Sequence, residues 1–478
     1  MFILSTVFVF YISIVFLLSI YSYSCTKNFH DYILGNRTLN SVLVAFGACA
    51  SDMGSWMLLA LPGAVMLHGF NQIWLPIGLL LGMYFNWRFV AKRMRIYTEK
   101  VGNALTVSKY LGNRFLDNTG YLEMTSAVIT LIFFTCYSAS GLTAGALLFE
   151  SIFGIEYSAG VLVTSAVVVL YTCLGGFLAI SWIDLFQGSV MLIVLVFLPV
   201  TIVAQSGGLS FAIMNIIQYN PCHYSIFYQT SFLDIISLLS WGLGYFGQPH
   251  ILARFMAAKN IKIMFTAQCI NILWMLISLS GAVLTGFFSI AYFFPNTLAN
   301  PETLFIVLSQ KLFSPYFSGI LIAVLFSAVM STTSAQLLTS VSAIIEHLST
   351  KNQLWIGRLL IVLVGWVATY LALHSSTSII HLVGYAWAGL GASFGPVVLV
   401  SLFWKRMTLL GAYSGIIVGA LTVILWPIFF PLNSGYAVYE ILPAFLLSSF
   451  SIYIATMISP PPLKKIIDIH HNIKKFIF

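Results

Sequence analysis

The feature that most constrains this chain is its alternation of long apolar runs with short, mostly basic connectors. Thirteen runs qualify as helical spans, at roughly 2–23, 41–61, 71–92, 124–149, 158–179, 188–205, 231–250, 266–293, 316–347, 355–373, 378–404, 409–430 and 440–458. A hydrocarbon layer of about 30 Å is crossed by about 20 helical residues, so length alone assigns each run to a membrane. The runs are continuous, without the short alternating segments of barrel strands, which makes the chain an all-α polytopic membrane protein. Composition agrees: 60% of residues are hydrophobic and 7% charged, with a mean hydropathy of +0.97. No soluble core hides that much apolar surface.

The net charge of +8 reads as a topology signal, not as a nucleic-acid footprint. Lys27 and Arg37, the cluster from Arg93 to Arg114, Arg254, Lys259 and Lys262 all fall in alternate connectors. So do Lys351, Arg358, Lys405, Arg406 and the tail residues Lys464, Lys465, Lys474 and Lys475. All of these face one side if the N-terminus is outside and the C-terminus cytoplasmic; of the 21 basic residues only Lys311 falls opposite. Residues 2–20 lack a basic leader and a small-residue cleavage site, so the first run reads as a retained helix. Cysteines show no metal spacing, and packing is their expected role. The whole chain, 1–478, reads as one transmembrane domain whose basic tail, 459–478, is expected to lie against lipid headgroups.

Ionisable groups inside a bilayer are costly and tend to be functional. Asp52 lies mid-run within Gly47-Ala48-Cys49-Ala50-Ser51-Asp52-Met53-Gly54-Ser55-Trp56. Small residues, a carboxylate and a glycine predict a helix that unwinds there and frees carbonyl oxygens, hard ligands suited to Na⁺. The alternative is a close helix contact with Asp52 simply hydrogen-bonded. Ser240-Trp241-Gly242-Leu243-Gly244-Tyr245-Phe246-Gly247-Gln248-Pro249-His250 predicts a second break. Trp241 and Tyr245 share a face there, although an interfacial aromatic belt explains such residues too. Ala328, Ser331 and Thr332 stand at i, i+3, i+4, presenting a carbonyl and two hydroxyls on one face. Back-bonding to the preceding turn is the competing role for those hydroxyls.

Tyr137, in a small-residue helix, is placed to reach a cavity, and Asp184 is expected to cap a helix at the cytoplasmic edge. No Lys or Arg is expected deep in a span, which favours a zwitterion over a strongly anionic cargo. No nucleophile–base constellation or paired intramembrane acid is visible, so the chain does not read as an enzyme.

From Thr26-Lys27-Asn28-Phe29-His30-Asp31-Tyr32-Ile33-Leu34-Gly35 to Gly395-Pro396-Val397-Val398-Leu399, the sequence resembles the sodium/solute symporter family. Trp241 through Ala258, and Glu150 with its preceding glycine-rich helix, carry the resemblance most specifically. It implies a LeuT-type core of two inverted five-helix repeats, 41–205 and 231–404, after one extra helix, 2–23, and before two more within 409–458. It implies sodium-coupled uptake of L-proline by alternating access in a bacterial inner membrane. Na⁺ would be held by Ala50, Met53, Ala328, Ser331 and Thr332, with Asp52 and Arg37 coupling ion to cargo. Trp56, Tyr137, Trp241, Tyr245 and Ser55 would meet the substrate.

One departure is local. After Asp-Met the family's proline-importing pattern reads Ser-Gly-Trp, where this chain has Gly54-Ser55-Trp56. The hydroxyl thus moves by one residue, about 100° around a helix. Either an unwound turn lets Ser55 reach the same place, or the cargo is another small zwitterion or vitamin-like solute. A non-transporting sensor on the same fold is the alternative of a different class.

Overall fold

The computed structural model describes residues 2–25, 29–296, 298–348, 352–375, 378–430 and 438–477. Lys27 and Lys351, counted above among the basic connectors, lie outside them. Helix α1 (Phe2–Cys25) is followed by the short α2 (Phe29–Leu34). Helices α3 (Ser41–Ala50) and α4 (Leu61–His68) are two halves of one apolar run. Then α5 (Trp74–Phe85) passes through a π-helical stretch, Asn86–Ala91, into α6 (Lys92–Lys100). Helix α7 (Val107–Phe115) lies within the basic connector and α8 (Tyr121–Phe153) follows it.

Helix α9 (Tyr157–Gln205) covers two of the expected spans without a loop between them. They meet at Gly176, whose φ of 62° and ψ of −177° break the helix. An L side chain is strained at that φ, and a Cβ there would lie 2.8 Å from the Tyr32 ring. The second span therefore begins near Ile180 instead of 188. Helix α10 (Leu209–Tyr219) fills part of the connector at 206–230.

The second half opens on another divided run, α11 (Phe232–Ser240) and α12 (Pro249–Met256). There follow α13 (Met264–Phe293), α14 (Leu304–Leu312), α15 (Pro315–His347), α16 (Gln353–His374), α17 (Ile379–Phe403), α18 (Leu409–Phe429), α19 (Ile441–Ile458) and α20 (Lys464–Ile477). Among the described residues, ten helical segments are long and apolar enough to cross a membrane. The other three apolar runs are helical as well, as α1 and as the two divided pairs.

Burial sorts these helices by what surrounds them. The most apolar stretch of α15 is 94% buried and that of α19 is 28% buried, so α15 is the central rod and α19 faces lipid. On α19, Leu446, Phe450 and Ile458 stay exposed, as they must when the solvent is hydrocarbon. The tail helix α20 turns Ile466, His470 and Ile473 inward, and His470 hydrogen-bonds to the Tyr97 hydroxyl of α6. That half of the tail packs on protein, while Lys464 and Lys465 remain exposed.

Candidate functional site

The first divided run breaks where its sequence is poorest in helix formers. Asn40 starts α3 by accepting the Leu43 amide at 2.9 Å. The end of α3 lacks a regular continuation. In an unbroken helix the Gly54 amide would bond to the Ala50 carbonyl; it goes to the Asp52 carbonyl at 3.0 Å. The Met57 amide likewise goes to Gly54 at 3.2 Å instead of to Met53. The carbonyls of Ala50 and Met53 are thereby released from the ladder, and a π-turn over Trp56–Ala60 leads into α4.

The Ala50 carbonyl meets the α15 face anticipated from i, i+3, i+4 spacing. The Ser331 hydroxyl lies 3.2 Å from it and the Thr332 hydroxyl 3.4 Å. These hydroxyls therefore reach across to the broken helix. Ala328 is buried one turn earlier, and its carbonyl stays within the continuous α15.

Ser331 also hydrogen-bonds to a carboxylate oxygen of Asp184. This corrects the expectation of an edge cap, because the earlier start of the helix carries Asp184 into the bundle. Its other carboxylate oxygen pairs with the Arg254 guanidinium at 2.8 Å, both side chains being at most 1% exposed. Arg254 also donates to Ser181 at 2.6 Å. So Arg254 of α12 is buried beside the bundle's inner face, against the expectation of no basic residue there; its charge is matched by Asp184 and is not free for a substrate. One Ser331 proton cannot serve both Ala50 and Asp184, so the oxygen set is short of positive charge. Neutral carbonyls, hydroxyls and a nearby carboxylate form the kind of set that a hard cation takes.

The second divided run makes the wall beside this site. Pro249 stands at the start of α12, where its missing amide costs nothing, and Ser231 and Asp234 cap α11 reciprocally. Between them residues Trp241–Phe246 wind as a 3₁₀ turn. Glycine lets this turn lie directly on its neighbours: a Cβ on Gly242 would fall 2.1 Å from the Gly78 carbonyl of α5. The Tyr245 hydroxyl donates to Asp52 at 2.5 Å, and the Trp56 indole donates to the Asp52 carbonyl at 3.0 Å. The Trp56 and Trp241 rings lie 6.4 Å apart. Tyr137, buried on α8, has a hydroxyl with no hydrogen-bond partner among the described residues and lies within electrostatic reach of Asp52.

Two further aromatics complete the cage and were not legible in the sequence. Tyr439 stacks on Trp241 at 4.9 Å. Trp387 of α17 meets Tyr245 edge-on at 5.1 Å and donates to the Trp241 carbonyl at 2.8 Å. The only local signal for Trp387 is its position between Gly384 and Gly389 in an apolar run.

Ser55 has helical dihedrals, φ −56° and ψ −32°, makes no capping bond and is buried. The turn is unwound before it, not at it. Gly54 abuts Thr332, and a Cβ there would lie 2.2 Å from the Thr332 hydroxyl oxygen. A side chain on residue 54 would press on the Thr332 hydroxyl, which lies beside the Ala50 carbonyl.

Arg37 lies apart from the cage, at the end of the bundle that carries the basic connectors. It donates to the carbonyls of Met256 at 2.5 Å and Ala104 at 2.8 Å, and to Asn103 at 3.2 Å. Burial, with help from nearby Arg95, lowers its pKa to about 10, so it stays charged at neutral pH. The ends of both divided runs are thus tied to one connector.

This architecture is that of a helical membrane transporter with two interrupted helices facing a central site. The sequence profile of the sodium:solute symporter family matches residues 32–419, and the chain belongs to that family. It is 44% identical to the high-affinity proline transporter PutP of Bacillus subtilis, over 95% of this chain and 97% of that one. It is 45% identical to the sodium/proline symporter of Escherichia coli, over 95% of this chain and 92% of the other. The Haemophilus influenzae sodium/proline symporter is 42% identical, over 98% and 97%. Among solved structures, a Na⁺-coupled sialic acid symporter in a substrate-bound outward-open state superposes with a TM-score of 0.79 at 17% identity. It covers 97% of this chain and 99% of its own. A nucleobase-cation-symport-1 transporter reaches a TM-score of 0.58 at 12% identity, covering 94% and 99%. The protein is a multi-pass integral membrane protein and not an enzyme.

Proposed function

We propose that the chain is a sodium/proline symporter, taking up L-proline with Na⁺ by alternating access. The observation that carries the mechanism is the Ala50 carbonyl, released from its helix and approached by Ser331 and Thr332, one turn from a cage that closes on Asp52. Na⁺ is cargo here, held by the oxygens of Ala50, Met53, Ala328, Ser331 and Thr332. Trp56, Tyr137, Trp241 and Tyr245 contact proline, with Ser55 beside them. Asp52 couples the two through Tyr245, and Arg37 couples them to the basic end.

The break in α3–α4 and the break in α11–α12 each open a five-span unit, 41–205 and 231–404. This supports the LeuT-type arrangement of inverted repeats inside thirteen spans, with the N-terminus outside and the C-terminus cytoplasmic. Another small zwitterion is the second reading, motivated by the Gly54–Ser55 exchange.

The test is uptake into proteoliposomes with a sodium gradient imposed and then collapsed, across a panel of amino acids. Proline accumulation that vanishes with the gradient is expected. Accumulation of a different solute in preference to proline changes the cargo; binding without accumulation returns the protein to a sensor.

A further inference from the structure

Two arginines, Arg254 and Arg114, are at most 2% exposed, and they differ in how their charge is met. Arg254 pairs with Asp184 at 2.8 Å. Arg114, on α7, has no carboxylate partner among the described residues. Its Nε donates to the Ser401 carbonyl of α17 at 3.2 Å, while Nη1 and Nη2 have no hydrogen-bond partner among the described residues. The guanidinium lies 5.8 Å from the Tyr97 ring and 5.3 Å from the Phe115 ring. Ring faces attract a cation but leave its N–H groups unbonded. A buried charge without a counter-ion is strongly unfavourable. Two unbonded nitrogens of one planar guanidinium form the fork that grips an oxyanion through parallel bonds.

The acids of this end are engaged elsewhere. Glu99 pairs with Arg95 at 2.6 Å and Glu123 with Lys109 at 3.1 Å. Asp117, three residues after Arg114, accepts the amides of Thr119, Gly120 and Leu122. Asp468 on the tail helix is exposed. Around Arg114 a second cation gathers instead. Arg93 and Arg114 both lie within electrostatic reach of the Tyr97 phenol. The Arg93 guanidinium sits 4.2 Å from the Phe403 ring, and Tyr97 hydrogen-bonds to His470 of α20. Two arginines about one phenol, with no acid between them, suit a group carrying several anionic oxygens. Arg93 marks the outer side of the cluster. Phe403 beside it, and Phe89 against Phe403, are 42% and 46% exposed. Aromatic side chains exposed next to arginines mark the level at which hydrocarbon gives way to headgroups.

We infer that Arg114, with Arg93, holds a phosphate group at the cytoplasmic boundary of the membrane, beside the tail helix α20. The cytoplasmic side follows from the orientation proposed above; the site itself does not depend on what is transported. A phosphate offers one pair of oxygens to the Arg114 fork and a further oxygen to Arg93. A phospholipid headgroup and free phosphate both carry that group. Tyr97 stands between the arginines and His470, so an occupied site also steadies the docking of α20.

The test is heat unfolding of the full-length protein, purified in detergent and stripped of lipid. One arm adds phosphatidylglycerol, against diacylglycerol with the same chains and no phosphate. The other adds inorganic phosphate, against chloride at matched ionic strength. A ligand of the folded state raises the unfolding midpoint. A rise with phosphatidylglycerol alone assigns the site to lipid, and a rise with inorganic phosphate assigns it to the free ion. Arg114→Met should abolish the rise. Arg93→Gln should increase the half-saturating concentration about tenfold, the effect of losing one charge-assisted hydrogen bond. Should Arg114→Met fail to fold, Arg114→Lys keeps the charge, loses the fork and should weaken binding by a similar factor. No rise in either arm overturns the inference, as does a rise with the same half-saturation in the parent and in every folded variant.

Discussion

The Tyr245 hydroxyl donates to the Asp52 carboxylate at 2.5 Å, joining the broken turn of the first divided helix to that of the second. Each residue sits where its own helix has unwound. Neither break leaves the other independent, so movement at either one is felt by the oxygens around Ala50.

Tyr245→Phe removes that bond while keeping the ring against Trp387. The other Asp52 oxygen already lacks a partner among the described residues, so the carboxylate is left without a donor there. Apparent proline affinity should fall by about 1–2 kcal/mol, roughly tenfold in the half-saturating concentration. Asp52→Asn keeps an acceptor for Tyr245 and removes the charge, and should nearly abolish sodium-driven uptake. Uptake measured against sodium and proline separates the two effects. Robust transport by Asp52→Asn in protein that reaches the membrane would reduce Asp52 to packing.

Ser331→Ala and Thr332→Ala each delete one oxygen at Ala50. Each should raise the half-saturating sodium concentration about tenfold or more, equivalent to about 1–3 kcal/mol. Ser331 should show the larger effect because it also bonds Asp184. Proline binding at saturating sodium should change less. Sodium titrations identical to the parent in both variants would mean that neither hydroxyl ligates the ion.

Arg254→Met leaves the buried Asp184 without its counter-charge, and a loss of about 3–5 kcal/mol in stability is expected. Asp184→Asn alone should destabilise by a similar amount. The double variant should recover most of the stability, since both charges are gone, but not the transport. Thermal unfolding in detergent and uptake assays read these separately. Additive losses in the double variant would show that the two residues do not act as a pair.

Gly54→Ser should impair sodium binding, not proline recognition. Its Cβ would press on Thr332, whose Cβ is only 2.8 Å from the added atom, and crowding of that kind costs about 1–3 kcal/mol. The expected readout is a roughly tenfold rise in half-saturating sodium with an unchanged ranking of amino acids in competition. A large gain in proline preference would instead mark the Gly54–Ser55 exchange as a change of cargo.

Hydropathy and local composition are properties of the chain itself, and they determined much of this protein. The apolar runs made it helical and membranous. The small residues around Asp52 and the glycines around Gly244 located both breaks, because helix propensity is lost residue by residue. The spacing of Ala328, Ser331 and Thr332 put three oxygens on one face. What the tertiary structure decided is which faces meet. Asp184 and Arg254 are 70 residues apart and read separately as a helix cap and a loop cation. They became a buried pair because the reversal at Gly176 begins the next helix early and carries Asp184 inward. Trp387 and Tyr439 joined the cage by packing across helices, with no nearby residue to announce them. Gly54, read as one of the small residues that unwind the helix, also leaves the space that Thr332 occupies. Charge pairing and steric fit act over a few ångströms in space, whatever the separation along the chain, and only the folded bundle sets those distances.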